Sequence, residues 1–558
     1  MKTRYIDLME KTLSAYSVEH ITEYLDKVKR EGLTEHGFPR LTANMGVLIS
    51  HGRRRELLSL FKEMMELCCD MLLRVGVKAA NEFSVREIVC CIKALESSGA
   101  VEKELLLSWK KKISLIKAPE CYDVVVESEN DKITNWAIFG AVSEFSRLRF
   151  GMGGDLDFVE RQLSCQFQWI DENSMYCDYP KTREHQPMVY DIVSRGLFAT
   201  LLSFGYDGVY RDRLDRILES SAPFTLMMQS PNGEIAFGGR SNQFLHNEPW
   251  LMTLFEYEAR RYLKRGDIKR AGEYKAAVER ALRVTGDWLA KEPIRHIKNR
   301  FPTETKYGCE KYAYFDKYMI TAASFLYTAY LVCDDSLPSV YREDLAPTAF
   351  ATSDRFHKVF LKSGGYMAEL DLNADKRYDA CGLGRVHRQD APSALCLSCP
   401  CPAEPVYTVD IPEPKAFSLS SAAMGDKGEW ILGFDKPLEL KELKTDSDSA
   451  FASFDHSLSE GCGIFEGYRV NKEGVTVKIR GKGKIGYTLP ALSFDGERKS
   501  EISADESTLS VSYCGSLVRY TTDGSISELG GICANRNGHY RRFIAKGEDS
   551  LWVRIEIL

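Results

Sequence analysis

The chain has no continuous apolar run of membrane-spanning length, so no transmembrane helix is expected. Its start, M-K-T-R-Y-I-D-L-M-E-K-T-L, lacks the apolar centre of a secretory leader and reads as an amphipathic helix. Basic charge is not in excess. The formal net charge of -6 over 558 residues removes the electrostatic footprint of nucleic-acid binding. Phosphate-cradling loops are missing too. G-M-G-G-D at 151–155 has neither a following Lys-Ser/Thr nor a preceding strand. Cysteine is plentiful, at 16 residues, but metal-ligand spacing is not. Cys396, Cys399 and Cys401 share the run C-L-S-C-P-C, yet no second C-x-x-C follows and His387 is the only nearby histidine. Free or structural thiols are expected there, with no metal and no other cofactor. The pairs Cys68-Cys69 and Cys90-Cys91 sit in helical patterns and read as small buried hydrophobes of a reducing compartment. A cytoplasmic chain without disulfides is the expectation, with neither nucleic acid nor membrane as partner. A homo-oligomer is compatible with the sequence.

Hydrophobic content of 44% and charged content of 28% are those of a globular protein, and the length exceeds one ordinary core. Residues 1–335 are helical in pattern and poor in strand signals. Leu57 to Val75 and Val85 to Leu95 carry apolar residues at helical spacing, as do Ala271, Tyr274, Val278, Ala281 and Trp288. Every second connection is long, polar and aromatic. Paired helices with one rim of long loops are what an α/α toroid needs. Residues 336–352, rich in proline, read as a linker. Beyond them the period changes to two: Val475, Val477 and Ile479 alternate with polar residues, and so do Leu551, Val553, Ile555 and Ile557. Residues 353–558 are therefore expected to form an antiparallel β-sandwich, making an α+β multidomain chain.

The densest chemistry lies in S-P-N-G-E-I-A-F-G-G-R-S-N-Q-F-L-H-N-E, Ser230 to Glu248. Gly238 and Gly239 let the backbone bend or approach another group. Arg240, Asn242, Gln243, His246 and Glu248 follow, and a helical pattern begins behind them. Three further polar, aromatic segments belong to the same rim. They are Asn135-Trp136, the loop from Tyr176 through Asp178 to His185 with Tyr190-Asp191 behind it, and K-Y-G-C-E-K-Y-A-Y-F-D with Glu310, Tyr312, Tyr314 and Asp316.

The Asn135-Trp136 pair, the Y-x-D-Y-P loop, Tyr190-Asp191 and the S-P-N-G…G-G-R-S run resemble an uncharacterised bacterial family of α/α-toroid proteins. That family is allied to six-hairpin glycosidases and heparinase-type lyases, and some of its members are β-glucuronidases. A toroid followed by a β-sandwich also resembles heparinase II and the hyaluronate and chondroitin lyases in architecture. The resemblance implies an enzyme that cleaves a uronic-acid glycosidic bond.

Two chemistries divide the candidates. Hydrolysis needs two carboxyl groups flanking the bond, and the rim offers Asp178, Asp191, Glu248, Glu310 and Asp316. Glu248 is preferred, beside Arg240 and His246. Asp191 and Glu310 come next. Elimination instead needs a neutralised uronate carboxylate and a Tyr or His to take the adjacent proton. Asn135, His185, Tyr190, Asn242 and His246 could serve, with Tyr312 and Tyr314 in reserve. Arg240, Asn242, Gln243, Asn135, Trp136, Tyr176, Asp178, His185, Tyr312 and Tyr314 are the expected substrate contacts. Hydrolysis, glucuronidase-like, is the main expectation. A β-eliminating polysaccharide lyase is the alternative, and a non-catalytic glycan-binding groove is the second alternative. The bland reading of the same residues is a solvated loop over a capped helix.

Overall fold

The computed structural model describes residues 1–76, 79–127, 134–179, 183–337 and 346–558. Among the described residues fourteen α-helices precede the first strand. In chain order they are α1 (Lys2–Leu13), α2 (Val18–Glu31), α3 (Gly37–Ser50), α4 (Leu58–Met71), α5 (Asn81–Ser98), α6 (Lys103–Ser114) and α7 (Ala118–Cys121). Then come α8 (Asn135–Arg149), α9 (Leu156–Ser164), α10 (Met188–Ser203), α11 (Arg211–Met228), α12 (Asn247–Lys264), α13 (Ile268–Leu289) and α14 (Phe315–Val332).

Six of them form a closed inner ring. Helices α3, α5, α8, α10, α12 and α14 touch in that order, and α14 returns to α3. Each packs an outer partner: α4, α6, α9, α11, α13 and, for α14, the first helix α1. The inner helices are buried on nearly all sides, as hydrophobic-all-round helices must be. Close approach is helped by two glycines. A Cβ on Gly46 would collide with Cys91 and Phe61, and one on Gly196 with Trp250. Pro249 is tolerated in α12 because it lies in the first turn.

The inner helices begin at one common pole. There His36 meets Phe83, Phe83 meets Trp136, and His246 meets Tyr318, all with ring centroids 4.8–5.3 Å apart. The connections at the other pole are short, while those feeding this pole carry the long aromatic loops. The alternation expected from the sequence is thus the alternation of the two rims.

The second half is entirely antiparallel. A four-stranded sheet runs Thr348–Ala351, Lys358–Ser363, Tyr366–Asp371, Gly382–Arg388 in sequence order. An 11-stranded sheet packs on it, and both contribute to one apolar core. The alternating segments noted in the sequence are register partners: Val475 faces Ile555, Val477 faces Val553, and Ile479 faces Leu551. All six are buried. The first strand falls inside the stretch read as linker, of which residues 338–345 lie outside the described residues. None of the 16 cysteines is in a disulfide. No helix among the described residues is long and apolar enough to cross a membrane.

Candidate active site

The rim loops of the toroid meet the four-stranded sheet around a cavity of about 180 Å³. Arg183, His185, Arg240 and Tyr312 border it from the toroid, and Lys358, Asp371, Tyr378 and Asp379 from the sheet side. Gly239 brings the backbone against Pro187 at φ +73°, and its N–H donates to Asp379 Oδ2 at 2.8 Å. That bond ties the glycine loop to the second half of the chain. Burial lifts the Asp379 carboxyl to about 6, despite Lys358 nearby.

Asp178 is the anchor of the rim. It is fully buried and accepts four hydrogen bonds. Oδ1 takes the backbone N–H and Nδ2 of Asn135, each at 3.0 Å. Oδ2 takes Arg183 at 3.0 Å and Arg240 at 2.9 Å. One carboxylate therefore orients two guanidinium groups, each about a quarter exposed. Burial works against the Arg240 charge, but Tyr190 and Asp178 beside it hold its pKa above the ordinary value. The Arg240 guanidinium lies 4.3 Å from the centroid of the Tyr190 ring.

Behind Arg240 three hydroxyls form a chain. Ser241 Oγ lies 2.9 Å from Tyr190 Oη and 2.9 Å from Tyr312 Oη. Burial, with Tyr190 and Glu310 nearby, pushes the Tyr312 phenol well above its usual pKa, so it stays protonated. Ser241 sits at φ +59°, an unusual conformation for serine that aims its N–H at Glu310 Oε1, 2.7 Å away. Glu310 in turn grips Arg536, from the β half, through both oxygens at 2.8 and 3.0 Å.

Several expected site residues are elsewhere. Glu248 does not face the cavity. It is fully buried and its Oε1 is held by Lys298, while burial raises its pKa. Asp191 is sealed in α10 by Arg195 and by the Tyr176 N–H at 2.7 Å. Glu310 is spent on Arg536 and Ser241, and Arg536 keeps its pKa low against burial. Asp316 pairs with His20 at 2.8 Å. His246 is buried among Phe244, Tyr318 and Phe325, and burial lowers its pKa to about 3. Tyr176 is a core residue bonded to Gln166. Asn242 turns inward to the Ala236 carbonyl, and Gln243 bonds to Asn242. Trp136 and Tyr314 remain partly open at the pole, and His185 stands at the cavity mouth with its ring 5.1 Å from that of His357. Cys396 bonds Tyr520 and Cys399 bonds Asn537, and among the described residues no three His, Cys, Asp or Glu side chains are grouped so as to hold a metal ion.

Sequence reasoning missed Arg183, Ser241, Lys358, Asp379 and Arg536. Arg183 and Ser241 lie inside motifs that were recognised. The other three come from the β half, and no local pattern links them to the rim.

No protein-family model matches the chain, and no curated protein matches it. Solved structures do. The fold is similar to that of a chondroitin AC lyase. The match is to a mutant of the enzyme from Streptomyces coelicolor A3, with TM-score 0.54 over 99% of this chain and 79% of that one, at 12% identity. A mutant of heparan sulfate lyase HepC from Pedobacter heparinus aligns over 92% of this chain and 75% of that one, with TM-score 0.48 and 9% identity. The first likeness establishes a helical toroid followed by an antiparallel β domain. At this identity it says nothing further, since function lives in the site.

Proposed function

We propose that the chain is a carbohydrate-active enzyme that cleaves uronic-acid-containing glycans by β-elimination. One observation carries this reading. Asp178, Asp191, Glu248 and Glu310 are each paired with an arginine or lysine, and Asp316, beside His20, does not line the cavity, whereas Tyr190, Ser241 and Tyr312 form a hydroxyl chain beside a pair of guanidinium groups. Hydrolysis would need two carboxyl groups facing each other across the bond. Elimination needs a cation on the uronate carboxylate and hydroxyls to move protons. The name of the neighbour with the shared fold, a lyase, supports the same choice over the glucuronidase-like expectation.

In this scheme Arg240 and Arg183 meet the substrate carboxylate with the N–H groups that Asp178 leaves free. Neutralising that carboxylate acidifies the adjacent C–H. Tyr190 takes the proton. The electron pair forms a carbon–carbon double bond as the glycosidic C–O bond breaks. Tyr312, held protonated by burial, supplies a proton to the departing oxygen, and Ser241 passes a proton back between the tyrosines. No water is consumed.

The test is digestion of a panel of uronic-acid oligosaccharides, read by mass and ultraviolet absorbance. An unsaturated product with no added water is expected. Tyr190→Phe should lower turnover by roughly 10²–10⁴-fold. It should cost at most about 1 kcal/mol of stability, because one partly exposed hydrogen bond is lost. A product that has gained one water would overturn elimination, and undiminished turnover of Tyr190→Phe would remove Tyr190 from the chemistry.

A further inference from the structure

The recognised loop has two sides. Arg240 lines the rim cavity, while Gln243, at φ +65°, reaches a second cavity of about 460 Å³ on the seam between α13 and the β half. That volume lies within the roughly 300–1,000 Å³ usual for small-molecule sites. Its floor is polar yet buried. Gln243, Lys298, Asn299 and Asn537 line it with exposures of 2%, 2%, 2% and 6%. Ser398 lines it as well, and its buried hydroxyl has no hydrogen-bond partner. A buried unpaired hydroxyl costs stability unless something binds it.

The charges around this cavity are mostly matched. Lys298 pairs with Glu248, Arg283 with Asp390, Arg300 with Asp495, and Arg498 lies 3.7 Å from Glu497. Glu234 is bonded by Ser393, and Asp287 stands on the exposed edge. Lys291 differs. Its ammonium lies 3.1 Å over the Trp288 ring and makes no ion pair with a described residue. Burial and the neighbouring Arg300 lower its pKa to about 8, although Glu234 and Asp287 stand close enough to oppose the shift.

We infer that this cavity binds a small hydroxylated carboxylate, an acidic mono- or disaccharide, with its carboxylate on Lys291 and its hydroxyls on the amide and serine floor. The site stands apart from the rim cavity and does not depend on the reaction assigned there. It gives the chain a second place to hold an acidic sugar, on the reverse face of the same loop.

Titration calorimetry of the full chain with glucuronate, and with glucose as the neutral control, tests this. Glucuronate should bind and glucose should bind at least tenfold more weakly. Lys291→Ala should weaken glucuronate about tenfold or more, the loss of one charge-assisted hydrogen bond. Ser398→Ala should weaken it severalfold without lowering the melting temperature, since the hydroxyl has no protein partner to lose. In the Arg240→Lys background, where the rim site is weakened, glucuronate binding that depends on Lys291 and Ser398 should persist. Binding that survives Lys291→Ala and Ser398→Ala but fails in Arg240→Lys would place the sugar in the rim cavity and overturn the inference. Equal affinity for glucose, or no binding of glucuronate at millimolar concentration, would overturn it too.

Discussion

Glu248→Gln separates two accounts of the central loop. If Glu248 were an acid or base, the nearly isosteric amide would lower turnover and spare the fold. The structure predicts the reverse. The side chains of Glu248 and Lys298 are 0% and 2% exposed, so solvent does not screen their attraction. The amide leaves a buried ammonium without its counterion. Breaking one half of a buried pair costs about 3–5 kcal/mol. Glu234 lies close enough to Lys298 to offset part of this, which favours the lower end. About 3 kcal/mol corresponds to a fall of roughly 4 °C in the melting temperature of a helical half of this size, at about 2.1 cal/mol/K of unfolding entropy per residue. The assay is a thermal melt by circular dichroism, paired with turnover per folded molecule. Turnover corrected for the folded fraction should stay within a fewfold of the parent. Adding Lys298→Met should recover much of the lost stability, because the orphaned cation is then gone. An unchanged melting temperature with collapsed turnover would refute the reasoning and restore Glu248 as a hydrolytic acid or base.

Other outcomes follow from the same geometry. Arg240→Lys should weaken binding of a uronate oligosaccharide by roughly 10–100-fold, since lysine keeps a charge near Asp178 but makes neither the planar fork nor the stack on Tyr190; equal affinity by calorimetry would contradict this. His246 has a folded pKa of about 3, so the unfolded chain takes up a proton below about pH 6.5 that the folded chain does not. Its contribution is present above pH 6.5 and is lost as pH falls toward 3. His246→Phe should therefore flatten the fall in urea-unfolding free energy by up to about 1.4 kcal/mol per pH unit across that window, and an unaltered slope would exclude it as a source of acid lability. Among the 16 cysteines, none in a disulfide, only Cys514 is exposed and Cys462 is intermediate. A thiol reagent should label one or two cysteines in the native protein and all 16 in denaturant, and rapid native labelling of many more would contradict the burial.

The architecture was legible because it is written in period and in loop length. Val475, Val477 and Ile479 alternate because one face of their strand is buried, and their partners on the last strand alternate for the same reason. The long loops were legible as a rim because hairpin ends at the other pole need few residues. The site was less so. Arg195 sits one turn after Asp191, so their pairing lay within reach of i,i+4 reasoning. Lys298 is 50 residues from Glu248, and Arg536 is 226 from Glu310. No local pattern carries such pairings. A dense polar loop looks the same in sequence whether its charges face a ligand or each other, and burial decides which.

The closed ring also sets how the chain can be made. In an open solenoid each repeat adds to a growing end, and losing one shortens the protein without undoing the rest. Here α3 must wait for α14, nearly 300 residues later, to cover its remaining flank, and α1 waits for the same helix. During synthesis the early hairpins therefore hold an uncovered apolar edge until the last inner helix leaves the ribosome. Contacts so distant in sequence slow folding and favour intermediates. A toroid lacking one hairpin should be a chaperone client and not a smaller toroid, so gain or loss of single repeats is closed to this half of the chain as a route of change.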